Sequence, residues 1–238
     1  MYREAVENLL AAATDLLGLQ VAAGSVIREQ SKERYGQLLE SHIQVVGAIG
    51  SAVKRRDGER AEIVGDSQQQ IVLIASFIQG INIVECAISE GYYIQAAALI
   101  RQELETIAAL EELKKGTRVL RRTPNVGHVP WALATLYGDL SKAAHAADHD
   151  VLQDILAPNA VGLAEDTTGV VMVQQFRDQL SWRLYGLHVA LLILLAVHLH
   201  EHQETVHGEG QGLNEIEIQA VQNAQQIMID GGWLVLQP

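Results

Sequence analysis

The sequence predicts an all-α fold: a helical bundle with an N-terminal helical extension. Three observations predict it. Long stretches rich in Ala, Leu, Ile, Gln and Glu carry apolar residues at three- and four-residue spacing. Proline is rare, four in 238 residues, so little interrupts them. No segment alternates apolar and polar residues between hairpin turns, which leaves no strand to pair.

The first expected helix covers residues 2–23, with Val6, Leu9, Leu10, Ala13, Leu16 and Leu17 on one face. Gly24-Ser25 is its expected break, and Ser25 caps a second helix running to about residue 56. Gly47 and Gly50 either weaken that helix or let another cross it closely. Asp57-Gly58 ends it. Residues 1–65 therefore form the extension and 66–238 the bundle core. Asp66 caps a third helix, 67–89, with Ile71, Ile74, Ala75, Ile78, Ile81 and Ile88 inward. Glu90-Gly91 turns the chain into a fourth, 92–115, so the pair makes an antiparallel hairpin. A loop follows over 116–128. A fifth helix spans 130–147, with Pro130 in its first turn. Residues 148–170 are broken by Pro158, Gly162 and Gly169, with room for a short helix near 149–156. The longest helix covers 171–206. Its stretch 184–199 is almost wholly apolar, but a membrane span needs about 20 such residues. His188 and His198 also interrupt it, so it reads as a buried core helix. The last helix, 214–229, begins at Asn214 and stops at Gly231-Gly232.

Charge narrows the function classes. With 17 Lys+Arg against 29 Asp+Glu the chain repels nucleic acid and anionic membranes in general. The cations are nevertheless clustered: Lys54, Arg55, Arg56 and Arg60 in one group, Lys114, Lys115, Arg118, Arg121 and Arg122 in another. These groups suit solvated helix ends, where cations favour the dipole, or a local anion patch. Cys86 is the single cysteine, among Ile83, Val84, Ala87 and Ile88, so it reads as a buried inert thiol with no disulfide. Met1-Tyr2-Arg3-Glu4 lacks the pattern of a secretory signal, and a cytoplasmic setting is the expectation.

Two helices carry the chemistry. On the fourth, Arg101 and Glu105 are four apart, on a stripe with Ile94, Ala97, Ala98, Leu104 and Ala108. On the fifth, Tyr137, Ser141 and His145 are each four apart beside Leu133, Leu136 and Leu140. An Arg–carboxylate pair with guanidinium donors left over could hold the fifth helix or an anion. Charge on an apolar stripe is costly unless paired, so these five residues are the candidate site. They read either as a satisfied polar network that fixes helix register or as a ligand site.

The run of small residues leading to Leu99-Ile100-Arg101 and Glu105, then Tyr137, Leu140-Ser141 and His145, resembles uncharacterised bacterial all-helical families allied to the HEPN superfamily. Some of these are encoded in phage-defence and toxin–antitoxin loci. The resemblance covers about residues 70–200. It implies an up-down helical bundle, often a dimer, whose active members are metal-independent RNases. Those RNases set an Arg four to six residues before a His at or near a helix start, His for acid–base chemistry and Arg for the phosphorane charge. Here Arg122 to His128 has a comparable spacing, and Pro124 and Gly127 put it in a loop, a departure from the family.

Eight of the nine histidines lie between 128 and 207. His198 and His202, four apart, could share a metal, with Glu201 and Glu204 near. The run is not a His-Glu-x-x-His motif, and Glu-x-x-His does not recur as a di-iron bundle requires. No phosphate loop, nucleophile elbow or zinc-finger spacing is present. The sequence thus points to a HEPN-like interaction or ligand-binding module needing no cofactor. Its expected partners are a second copy and a protein encoded nearby. A metal-independent RNase, using Arg122 and His128 or Arg101 and His145, and a metal-binding bundle are the alternatives. An apolar face on the first helix or the tail at Trp233 is the expected dimer surface.

Overall fold

A computed structural model describes residues 2–59, 65–144 and 172–234. Among these the periodicities become seven α-helices and no strand. They are α1 (Tyr2–Tyr35), α2 (Gln37–Arg55), α3 (Asp66–Ser89), α4 (Tyr93–Lys114), α5 (Tyr137–Ala144), α6 (Asp178–His207) and α7 (Glu215–Asp230). Short 3-10 turns at Val126–His128 and Leu133–Leu136 precede α5.

α6 is the axis of the bundle. Every residue from 184 to 196 is buried, because α1, α2, α3, α4 and α7 all pack on it. That is why its apolar residues run round the whole helix instead of along one stripe. α3 and α4 form the antiparallel hairpin, turned by Gly91 at φ 84°, where a side chain would meet Ile27. α2 lies against α6 and, most extensively, α7. Asn214 starts α7 with a capping box: its side chain accepts from Glu217 N, and Glu217 accepts from Asn214 N. Gly186 lets Trp233 lie on α6, since a Cβ there would sit 2.2 Å from the indole. Trp233 packs against Trp182, with ring centroids 3.7 Å apart.

Several boundaries differ from the sequence reading. α1 runs through Gly24-Ser25 and ends at Gly36 instead, where φ is 50°. Gly24 stays helical because it is buried against Glu90, whose Cβ a Gly24 Cβ would approach to 3.3 Å. This makes α1, at 34 residues, longer than α6 at 30. Gly47 and Gly50 have nothing within 4 Å of a built Cβ, so neither marks a close crossing. The fifth helix begins at Tyr137, not at 130, because Trp131 and Ala132 take positive φ angles of 61° and 58°. Ala75 is exposed, and Phe77 and Val84 are buried in its stead. The short helix near 149–156 lies outside the described residues.

By length and composition alone α1, α3 and α6 could each cross a membrane. Their apolar windows are buried to very different degrees within the bundle: 11%, 28% and 78%. α6 is thus the core helix its sequence suggested, whereas α1 projects from the bundle with residues 3–19 exposed.

Candidate functional site

Arg101, Glu105 and Tyr137 meet where α4 crosses the start of α5. Arg101 Nε donates to Glu105 Oε1 at 3.1 Å and to the Tyr137 hydroxyl at 3.2 Å. Tyr137 donates in turn to Glu105 Oε1 at 2.6 Å. The guanidinium also lies 5.2 Å from the Tyr137 ring centroid. Burial works against the Arg101 charge, but Tyr137 and Glu105 hold it, and its pKa is raised. The i,i+4 spacing on α4 made this pair, and packing of α5 added the phenol. The cluster is not buried as expected: the Arg101 and Glu105 side chains keep 22% and 25% exposure. Ser141 does not join it. Its Oγ is buried with no hydrogen-bond partner among the described residues. His145 lies outside those residues.

The acid that α4 buries is Glu103. It falls in step with Ala96, Ile100, Ile107 and Leu110, all buried on the face toward the core. Its Oε2 meets His188 Nδ1 on α6 at 2.9 Å, and the His188 side chain has no exposure at all. Burial pushes the Glu103 carboxyl up, against the pull of His188. Beyond it stands His42 of α2, its ring centroid 5.6 Å from that of His188. His42 Nδ1 shares a hydrogen bond of 2.7 Å with the Tyr185 hydroxyl. Tyr185 stacks on Tyr35 with centroids 3.7 Å apart, and Tyr35 bonds Ser181 at 2.8 Å. Burial lowers His42 to about 4 and pushes Tyr35 up to about 12. This chain of groups links α1, α2, α4 and α6. Glu103 was missed because the face it shares with Ala96, Ile100, Ile107 and Leu110 was not read as the buried one; its spacing from those residues was the signal that could have found it.

Arg122 and His128 line one shallow cleft of about 250 Å³ with Arg118, Thr123 and Asn125. Glu112 organises it, accepting from Arg118 Nη1 at 3.0 Å and from Asn125 N at 2.7 Å. Although burial opposes it, those donors hold the Glu112 carboxyl below its usual range. His128 sits at the end of a 3-10 turn and contacts Lys115 Nζ at 3.5 Å through Nδ1. The pair therefore shares a cleft on loop structure, without the helical frame of the family motif.

His198 and His202 both face a polar cavity of about 400 Å³ with Asp66, Gln70, Lys114 and Glu201. His198 Nε2 lies 3.3 Å from Glu111, and His202 Nδ1 lies 3.3 Å from Gln70 Oε1. Lys114 takes Glu201 at 2.5 Å. Burial lowers the pKa of both imidazoles. They are not solvated helix-end residues. Among the described residues no three of His, Cys, Asp and Glu converge as a metal site would need. His200 turns away to accept from Leu213 N. Cys86 is half-buried, not inert in its contacts: Arg28 Nη2 donates to its sulfur at 3.0 Å.

No family model, curated protein or solved structure matches the chain. Two of the three sites expected from sequence are tied into their own bundle: Glu105 is held by Arg101 and Tyr137, and Glu201 by Lys114. Among the described residues, an apolar stripe of α1 is left exposed beyond the bundle.

Proposed function

We propose that this chain is a HEPN-like helical assembly module that works by association through α1, with no reaction of its own. The observation that carries this reading is the exposure of one apolar stripe. Val6, Leu9, Leu10, Leu16, Leu17 and Val21 are 36–71% exposed along a helix that projects from its bundle. Soluble monomers rarely leave a contiguous patch of that extent in water. The same stripe continues into Gly24, Ile27 and Ser31, which are buried against the bundle. Its lower half is thus already a helix-packing surface.

A membrane is the less fitting occupant. Interfacial helices carry Lys and Arg on their polar face, whereas here Glu4, Glu7 and Asp15 lie off the stripe. A spanning α1 would hold Asp15 near mid-bilayer, at a cost of about 2.5–3.5 kcal/mol. The Arg101–Glu105–Tyr137 cluster fits a register pin between α4 and α5 better than a reactive centre. Glu105 accepts from both neighbours, which leaves it poorly placed as a base.

Light scattering coupled to size exclusion tests the reading on the full chain. Wild type should elute with the mass of more than one copy. Leu9→Lys with Leu16→Lys should run as a single chain at an unchanged melting temperature. A wild-type mass of one chain, or flotation of wild type with neutral phosphatidylcholine vesicles, would overturn it.

A further inference from the structure

The stripe on α1 has an internal symmetry that selects its partner. Its four leucines are placed evenly about Ala13: Leu10 and Leu16 stand three residues to either side, Leu9 and Leu17 four. Val6 and Gln20 stand seven to either side. Read through the helix, Val6, Leu10, Ala13, Leu17, Gln20, Gly24 and Ile27 alternate steps of four and three, a heptad seam. We infer that α1 pairs with α1 of a second copy, antiparallel, with the two-fold axis passing at Ala13. This rests on the proposed association through α1 and adds its partner and geometry.

A two-fold interface requires that residue i meet j while j meets i. A seam that reads bulky–small–bulky about one point meets that demand with the helices in opposite directions, each leucine of one copy falling opposite a leucine of the other. Leu9 and Leu10 of one copy then pack between Leu16 and Leu17 of the other, and Ala13 lets the helices approach at the centre. Gln20, the polar member of the seam, falls opposite Val6 at the rim, where it is half-exposed already.

The projecting segment also suits this direction. Residues 3–22 extend about 30 Å. Antiparallel pairing over that length sets the two bundles at opposite ends of the helix pair. Parallel pairing would bring both bundles to the same end. It would also set Arg3 beside Arg3 near the seam. Arg3 Nε bonds Glu7 at 3.1 Å within its own helix, an arrangement the antiparallel pair leaves undisturbed.

Disulfide trapping on the full chain tests the direction, with Cys86→Ser in the background so that the introduced thiol is the only one. Ala13→Cys should give a covalent dimer under mild oxidation. Val6→Cys should not, because antiparallel pairing separates its two copies by about 21 Å. Trapping at Val6→Cys, or none at Ala13→Cys, overturns the antiparallel pair. If the mass of two copies is still lost in the Leu9→Lys, Leu16→Lys variant, the association itself stands and only its geometry fails. If wild type has the mass of one chain, association and pairing fall together.

Discussion

Glu103 and Glu105 sit two residues apart on one helix and have opposite fates. Glu105 faces the crossing with α5 and keeps water on one side, so its pairing with Arg101 is screened. Glu103 is buried against α6, where among the described residues His188 is its hydrogen-bond partner. The energetic consequences follow from burial rather than from charge. Removing one member of a buried pair leaves the other without compensation and costs about 3–5 kcal/mol. A partly exposed pair contributes about 1 kcal/mol. Urea unfolding should therefore rank Glu103→Ala far more destabilising than Arg101→Ala. Equal losses, or the reverse order, would show that the Arg101 cluster and not the Glu103–His188 pair holds the bundle.

Local chemistry sets the elements and neighbouring elements set their limits. The capping box at Asn214 is a local device, legible because Asn precedes an acidic first turn. Asn214→Ala should cost about 1 kcal/mol and speed amide exchange over residues 215–218. Unchanged exchange there would mean that packing on α2 alone fixes the start of α7. Gly24 teaches the converse. A Gly-Ser pair breaks an isolated helix through its entropy, yet α1 passes through it because the missing side chain lets α1 approach Glu90. The fifth helix started late for a related reason. Pro130 suits a first turn, but the positive φ angles at Trp131 and Ala132 depend on the loop's tertiary path. The Arg101–Glu105–Tyr137 contact was legible because i,i+4 spacing is a property of one helix. Ser141's absence from it was not, because that depends on how α5 is rotated against α4.

For the molecule as a whole, buried imidazoles make stability depend on pH. Burial, aided by the neighbouring His188, lowers His42 to about 4, and burial also lowers His198 and His202. In the unfolded chain each would titrate near 6.5. Between those values the unfolded chain takes up protons that the fold refuses. Stability is therefore complete above about pH 6.5 and is lost as pH falls toward 4. His42 alone accounts for up to about 3 kcal/mol of that loss. Glu103 acts in the opposite sense, since its raised carboxyl is protonated first in the fold and offsets part of it. The melting temperature should fall across pH 6.5 to 4, and His42→Gln should flatten the profile. A profile unaffected by His42→Gln would place the dependence elsewhere.

The sequence by itself determined the all-α class, the α3–α4 hairpin, the buried character of α6 and the meeting of Arg101 with Glu105. Each follows from hydrogen bonding and side-chain spacing within a few turns of chain, which sequence records directly. Only the tertiary structure decided which acid is buried, that His42 of α2 adjoins His188 and Tyr185 of α6, and that α1 outruns its bundle. Those outcomes depend on where one helix ends relative to another. No local period encodes that relation, because it is set by the packing of segments far apart in the chain.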